Sequence, residues 1–425
     1  MTTSVIAMVP IDNVELRAPG CTRPVELRLR RYGFLTSIVL IAGRTITCAL
    51  ACIISRAYRL LGGRRRPWLI GERQDTARDN GYHLFAYIRA HHPECDIHYV
   101  IRKGAKGVGR IRDLGSIVYH NSLRHYLFYF IADKLIGTHE RRPQPDLVDM
   151  WPFSTLGDAP RRAYIKHGII KDIVPKHHNP WFANLDLFVC GGKPEYDFVT
   201  HAYGYPPGIV RYLGLARFDA LHDCTGDPKQ LLLMPTWRRW FGRKTSRSRD
   251  ARRRFVQSDY FHAYNNFMND PRLDRLLREH DIRLLFYPHH QMHDFLDDFS
   301  VPSDHVVIAR EDEYDVQQLL KGSALLITDY SSVAFDFAYM HKPIVYYQFD
   351  ERSYYLEHYG PAYFDYARDG FGPVVHTLDE LIGQVQSAIS SDVASAACYR
   401  ERADRFFPLR DRDNCKRNYE AVRNL

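Results

Sequence analysis

Polar side chains of the types that bind phosphate or move protons follow several predicted strands of this sequence. They are His167, Arg238, His289, Ser331 and Ser332, and each comes just past a short apolar run typical of a buried parallel strand. The carboxyl ends of parallel strands open onto the ligand crevice of an α/β sheet. These imidazole, guanidinium and hydroxyl groups are therefore expected to meet at one cleft.

The stretch 327–349 reads as one βαβ unit with a polar turn after its first strand. Ser331 or Ser332 can cap the helix that follows, and Asp336 lies in the first turns of that helix, near the positive end of its dipole. Backbone N–H groups and hydroxyls at a helix N-terminus can bind phosphate. This stretch thus predicts a phosphate site.

His167 is the candidate general base. It ends a short predicted strand, and Gly168 lets the chain turn sharply after it. An imidazole has its pKa near neutrality and can accept a proton from an attacking hydroxyl. A purely structural histidine is the alternative, since the chain contains 21 histidines.

Strands alternate with helices along most of the chain, which predicts doubly wound α/β domains. Two such domains are expected, a first over 67–225 and a second over 226–425. The strands predicted for the first domain are 68–71, 98–101, 116–119, 132–136, 163–167 and 187–190, and those for the second are 231–234, 282–290, 306–308, 325–327 and 344–347.

The charge of the chain is concentrated at its start. The 425 residues carry a net charge of +8, and residues 1–66 alone hold eleven arginines against three acidic residues, so the rest is neutral. A basic segment on a neutral body favours a membrane surface over nucleic acid as its partner. The eight cysteines show no CxxC or metal-ligand spacing and indicate free thiols in a reducing compartment.

The apolar segment 34–61 is a predicted helix interrupted by Arg44 and Arg56. Each uncharged run is about half of the roughly 20 residues that a spanning helix needs. Three interpretations stay open: a helix lying on the membrane face, a true span, and a helix buried against the first domain. A second basic stretch, 238–254, is either a contact for anionic acceptors or lipid headgroups, or a solvated loop.

One motif and several shorter ones resemble the CDP-glycerol glycerophosphotransferase family, whose members build teichoic acids and related polyol-phosphate polymers. The motif is Ile327-Thr328-Asp329-Tyr330-Ser331-Ser332-Val333-Ala334-Phe335-Asp336-Phe337 with Lys342-Pro343-Ile344 behind it, accompanied by Asp79-Asn80, Gly214-Leu215-Ala216-Arg217-Phe218-Asp219, Pro235-Thr236-Trp237-Arg238 and 411–417. The resemblance covers residues 67–420.

The resemblance implies a GT-B fold, in which two Rossmann-like domains face each other across a cleft and the second holds the donor nucleotide. It implies transfer of glycerol phosphate from CDP-glycerol to a hydroxyl of a lipid-linked polyol-phosphate or glycan acceptor, with release of CMP. His167 and His289 match the family's two site histidines. The positions implied for donor binding are Thr236, Arg238, Asp329, Ser331, Ser332 and Asp336.

Two departures from the family pattern concern the acceptor and the register of the second histidine. Ile169-Ile170 stand where the family has Thr-Pro, and His290 stands where it has Pro, so either His289 or His290 is the second site histidine. CDP-ribitol as donor, a GT-B glycosyltransferase using a nucleotide sugar, and a non-catalytic scaffold are the alternatives. We expect no cofactor, no protein-bound metal and no nucleic-acid partner, and a peripheral or monotopic place on the cytoplasmic membrane face through residues 28–66.

Overall fold

The computed structural model describes residues 34–139, 143–146, 159–172, 184–222, 227–241, 248–301, 303–310, 313–357, 360, 362–390 and 395–425. The arginines before residue 34, the predicted boundary at 225/226, residues 242–247 of the basic stretch and the side chain of His290 lie outside the described part.

The described chain forms two parallel sheets, each flanked by helices, which confirms the predicted α/β architecture. The first has the order β3-β2-β1-β4-β5-β6-β7 and the second β10-β9-β8-β11-β12-β13. The strands of the first sheet are β1 Trp68–Gly71, β2 Ile97–Ile101, β3 Ile117–Tyr119, β4 Lys134–Gly137, β5 Arg161–Tyr164, β6 Leu187–Cys190 and β7 Val210–Tyr212. Those of the second are β8 Asp227–Leu233, β9 Arg283–Phe286, β10 Val306–Ile308, β11 Ser323–Thr328, β12 Ile344–Tyr347 and β13 Val374–Val375.

The helices lie against these sheets, and their bounds are as follows. They are α1 Phe34–Leu60, α2 Asn80–His91, α3 Val108–Ile111, α4 Leu123–Ile131, α5 Lys193–Ala202, α6 Arg249–Val256, α7 Asp259–Met268, α8 Pro271–Glu279, α9 Val316–Gly322, α10 Val333–Tyr339, α11 Glu351–Glu357, α12 Tyr366–Asp369, α13 Leu378–Ser390, α14 Ala397–Phe406 and α15 Asn414–Arg423. Short 3₁₀ helices cover Ala216–Leu221, Arg239–Phe241 and His290–Asp298.

Each sheet has helices on both faces, and burial is greatest in its central strands. The two central strands β1 and β4 are buried at every position, as expected of parallel strands covered on both sides. The last helix, α15, follows the second sheet in the chain but returns to the first domain, where Cys415, Tyr419 and Val422 join the core around β1 and α2. The two domains are thus connected by the chain twice.

Helix α1 packs along one side against α4 of the first domain. Cys48, Ala51 and Cys52 are buried against this surface, and Arg44 forms an ion pair of 2.9 Å with Asp146. The opposite side of α1 carries exposed apolar residues. The described part of this helix is therefore neither fully buried nor detached from the domain.

Candidate active site

A cavity of about 200 Å³ opens where loops at the carboxyl ends of both sheets meet. Its first-domain wall follows β1, β4, β5 and β7, and its second-domain wall is formed by α9 and the start of α10. The lining residues are Glu72, Arg73, Thr76, Arg78, Asp79, His139, His167, Arg217, Val316, Gln317, Leu320, Ser332, Val333 and Asp336. The cleft predicted at the strand ends is therefore present, and both domains contribute polar groups to it.

The imidazole of His167 is exposed to this cavity in a form suited to accept a proton. Its Nδ1 lies 3.3 Å from the carbonyl oxygen of Thr138. Because a carbonyl can only accept, Nδ1 carries the hydrogen and Nε2 keeps its lone pair. The surrounding protein lowers the pKa of His167 by desolvation, which the charge of Asp79 and the Thr138 carbonyl offset in part. The neutral, basic form of His167 is consequently favoured.

A buried ion pair supports the loop that carries His167. Strand β5 ends at Tyr164 rather than at the histidine, and Lys166 takes a left-handed backbone conformation with φ of 57°. The ammonium of Lys166 pairs with Glu195, whose carboxylate also accepts the N–H groups of Ile170 at 2.5 Å and Gly191 at 2.8 Å. The carboxylate of Glu195 thus connects the turn after β5 with the end of β6.

Gly168 brings this loop into close contact with the second domain. A Cβ atom at residue 168 would lie 3.1 Å from Oγ of Ser332, so a side chain there would press on that serine. Ser332 occupies the N-cap position of α10 without a side-chain cap, and Oγ of Ser331 accepts the N–H of Val333 at 3.5 Å. The hydroxyl of Ser332 faces the cavity beside the loop of His167 and does not cap the helix.

Arg217 joins the two domains beneath the cavity. Its guanidinium donates two hydrogen bonds to Asp336, of 2.6 and 2.8 Å, and one of 2.9 Å to Asp79. A further hydrogen bond of 3.0 Å reaches the carbonyl of His167. Burial opposes the charge of Arg217, but Asp336 and Asp79 outweigh it and raise its pKa. Arg217 therefore links both domains by ion pairs and binds the backbone carbonyl of His167.

Glu72 is a second titratable group of the cavity wall. Its carboxylate accepts the backbone N–H groups of Arg78, Asp79 and Tyr82 at 2.7–3.1 Å. Burial, followed by the charge of Asp79, raises the pKa of Glu72 to about 7, although the three N–H donors act in the opposite direction. This glutamate shapes the start of α2, and its charge changes near neutral pH.

Arg238 lies in the interior of the second domain, away from the cavity. It is fully buried, with hydrogen bonds of 2.8 Å to Asp329 and of 2.7 and 2.9 Å to Asp350. Asp329 also accepts the N–H of Thr236 and the hydroxyl of Tyr264. A direct contact of Arg238 or Asp329 with the donor would require these bonds to open, so that contact stays a prediction.

We expect Arg238→Met to lower the free energy of unfolding by about 3–5 kcal/mol, because it leaves two buried carboxylates without a counter-charge. Chemical denaturation measures this loss, and Arg239→Met on the exposed neighbouring position is the matched control, with an expected change below about 0.5 kcal/mol. Near-normal stability combined with lost donor binding would instead make Arg238 a ligand of the donor.

His289 follows β9 by three residues and lies beside Trp237. The two rings stack with centroids 6.1 Å apart, and Nδ1 of His289 accepts the N–H of Gln291 at 3.3 Å. The choice between His289 and His290 stays a prediction. His289 lies outside the lining of the cavity around His167.

Of the predicted site residues, the structure brings His167, Ser332 and Asp336 together at the cavity, with Ser331 adjacent. Thr236, Arg238 and Asp329 form a separate buried cluster. Sequence reasoning missed the site roles of Glu72, Asp79, His139, Arg217 and Gln317. Two of these, Asp79 and Arg217, lie in motifs that carried the family resemblance, and this was the available signal.

The chain is similar to known proteins of one family. The family model described as CDP-Glycerol:Poly(glycerophosphate) glycerophosphotransferase matches residues 187–424. The minor teichoic acid biosynthesis protein GgaB of Bacillus subtilis (strain 168) is 33% identical over 375 residues, covering 85% of this chain and 40% of that protein. The teichoic acid poly(glycerol phosphate) polymerase of the same strain is 28% identical, covering 76% of this chain and 44% of that protein.

The fold is shared with a solved structure. The wall teichoic acid polymerase TagF superposes with a TM-score of 0.67 at 15% sequence identity, covering 95% of this chain and 98% of that structure. This likeness shows the fold, which is the GT-B arrangement that the resemblance implied. The chain spans less than half the length of the curated relatives named above. The chain belongs to the CDP-glycerol:poly(glycerophosphate) glycerophosphotransferase family.

Proposed function

We propose that this chain transfers glycerol phosphate from CDP-glycerol to a hydroxyl group of a polyol-phosphate or glycan acceptor and releases CMP. The observation that carries the proposal is the state of His167. Its Nδ1 is held by the Thr138 carbonyl, and its Nε2 is left as an acceptor at a cavity that Ser332 of the second domain also lines. A neutral base beside hydroxyl and cationic groups suits phosphoryl transfer.

In the proposed reaction the acceptor oxygen attacks the phosphorus that bears glycerol. His167 takes the hydroxyl proton, the bond from that phosphorus to the bridging oxygen breaks, and CMP leaves with the electron pair. The protein contributes positioning and electrostatic stabilisation, which are the main sources of catalysis in phosphoryl transfer.

On the donor side we assign contact with the phosphates to Ser331, Ser332 and His289. Ser332 faces the cavity, and the other two lie at carboxyl ends of strands of the same sheet. The hydrogen bonds among Thr236, Arg238 and Asp329 stabilise this edge of the sheet. Asp336 acts through Arg217 and not on the donor itself.

The function is tested with purified protein, a panel of CDP-glycerol, CDP-ribitol and UDP-glucose, and a lipid-linked acceptor. We expect CMP from CDP-glycerol and a product heavier by one or more glycerol phosphate units in mass spectrometry. Release of UDP from UDP-glucose would identify a glycosyltransferase, and turnover of CDP-ribitol alone would change the donor. A protein that binds and turns over none of the three donors would contradict the proposal.

We further propose that the acceptor is lipid-linked and that the chain attaches at the cytoplasmic membrane face, with α1 as the contact. By length and composition this helix could cross a membrane, yet one side packs on the first domain. The other side presents Val39, Ile46, Leu50 and Ile53, which are 51–71% exposed. Their spacing places them on one helix face, as in helices that lie in the membrane interface.

We expect the triple substitution Ile46→Ser, Leu50→Ser and Ile53→Ser to weaken binding to anionic vesicles more than about tenfold, because three apolar side chains no longer enter the lipid. Co-sedimentation with vesicles measures the partition. Leu356→Ser, at a 75% exposed position of the second domain, is the control and should bind as the unaltered protein does. Equal partition of both variants would exclude this face of α1 as the contact.

A further inference from the structure

The ring of His139 lies flat against the ring of His167. The centroids are 4.6 Å apart and the planes differ by 9°. His139 follows β4, whereas His167 follows the neighbouring strand β5, with Gly137 paired to Tyr164. Adjacent parallel strands therefore deliver two histidines to the same edge of the first sheet.

Thr138 holds both rings. It is fully buried, its carbonyl oxygen accepts the hydrogen of His167 Nδ1, and its hydroxyl lies 2.9 Å from Nδ1 of His139. A single hydrogen bond at Nδ1 fixes one atom of the His167 ring but leaves the ring free to tilt about that bond. A flat neighbour at stacking distance restricts the tilt, because a tilted ring would either clash with it or lose contact.

We propose that His139 is a positioning residue for the proton transfer, whose ring face fixes the plane of His167 and thereby the direction of its Nε2 into the cavity. This inference rests on the proposed function.

The proposal predicts that ring shape at residue 139 matters more than its nitrogen atoms. His139→Ala should lower kcat for CMP release about 10- to 100-fold, since small misplacements of a catalytic group cost rates of this order. KM for CDP-glycerol should stay unchanged. His139→Phe keeps a flat ring and should recover kcat to within about threefold of the unaltered enzyme.

Two results would overturn the proposal. If His139→Ala keeps kcat within about threefold, the stack does not position the base. If His139→Phe is as slow as His139→Ala, a nitrogen of His139 and not its ring face is what matters. His139→Gln, which keeps a polar partner for the Thr138 hydroxyl without a ring, should be as slow as His139→Ala, and it replaces that variant if the alanine protein does not fold.

The failure of this inference is distinguishable from that of the proposed function. The unaltered protein is assayed first, and absence of CMP release there refutes the function before any variant is compared. Thermal unfolding and CDP-glycerol binding of each variant are measured alongside. A variant with normal stability and donor binding but low kcat reports on the position of His167 alone.

Discussion

We expect His167→Gln to lower kcat for CMP release by about 10²–10⁴, the range that general-base catalysis contributes, while CDP-glycerol still binds. Glutamine fills the place of the imidazole but cannot accept the proton. The variant retains the buried Lys166–Glu195 pair beneath the loop, so its stability should be close to that of the unaltered protein. Single-turnover kinetics of CMP release and calorimetric donor binding measure the two quantities separately.

His201→Gln is the matched control, since His201 is exposed on α5 and does not line the cavity; it should leave kcat unchanged. The pH dependence offers an independent readout of the same role. Because the pKa of His167 is lowered, its basic form persists below the ordinary histidine value of about 6.5. The midpoint of the acidic limb of the kcat/KM profile should therefore lie below pH 6.5. An acidic midpoint at or above that value, or near-normal kcat for His167→Gln, would remove His167 as the base.

Arg217→Met should both destabilise the protein and slow the reaction. The carboxylate of Asp336, which is 4% exposed, would lose its counter-charge, and breaking such a buried pair costs about 3–5 kcal/mol. The same change removes the hydrogen bond to the His167 carbonyl and the ion pairs that Arg217 forms with Asp79 of the first domain and Asp336 of the second. We expect kcat to fall about 10²-fold through misplacement of the base, measured on protein that is still folded at the assay temperature.

Two further variants separate stability from positioning. Adding Asp336→Asn to Arg217→Met removes the unpaired charge and should restore part of the stability, but not the rate. Arg278→Met breaks an ion pair with Asp274 on the surface, where the two side chains are 52% and 36% exposed, and should cost at most about 1 kcal/mol. If the double variant recovers kcat together with stability, Arg217 is only a structural residue and the clamp has no part in positioning His167.

The parts of the site that could be predicted from sequence are those encoded within a short stretch. A serine after β11 is a preferred N-terminal residue of a helix, and this predicted the position of Ser332 at the start of α10. Gly168 predicted the turn that leaves His167 exposed. Strand β13 was missed because two residues, Val374 and Val375, give too short an apolar run for a period to be recognised.

Arg238 shows why strand-end residues are ambiguous. Its position after β8 is compatible both with binding of phosphate and with a buried ion pair. Asp329 follows β11 and Asp350 follows β12, and the sheet order β8-β11-β12 brings both carboxylates to its guanidinium. That order is a property of the sheet, and residues 91 positions apart in the chain become partners through it.

Apolar periodicity and contiguous residues were enough to predict the α/β class, the family and the two polar turns at His167 and Ser332. How those turns are held depends on contacts between distant parts of the chain. The stack of His139 on His167 depends on the adjacency of β4 and β5, and the clamp of Arg217 on Asp336 depends on the docking of one domain on the other. Such pairings join groups far apart in the chain, so these contacts form only once the sheets have formed and the domains have docked.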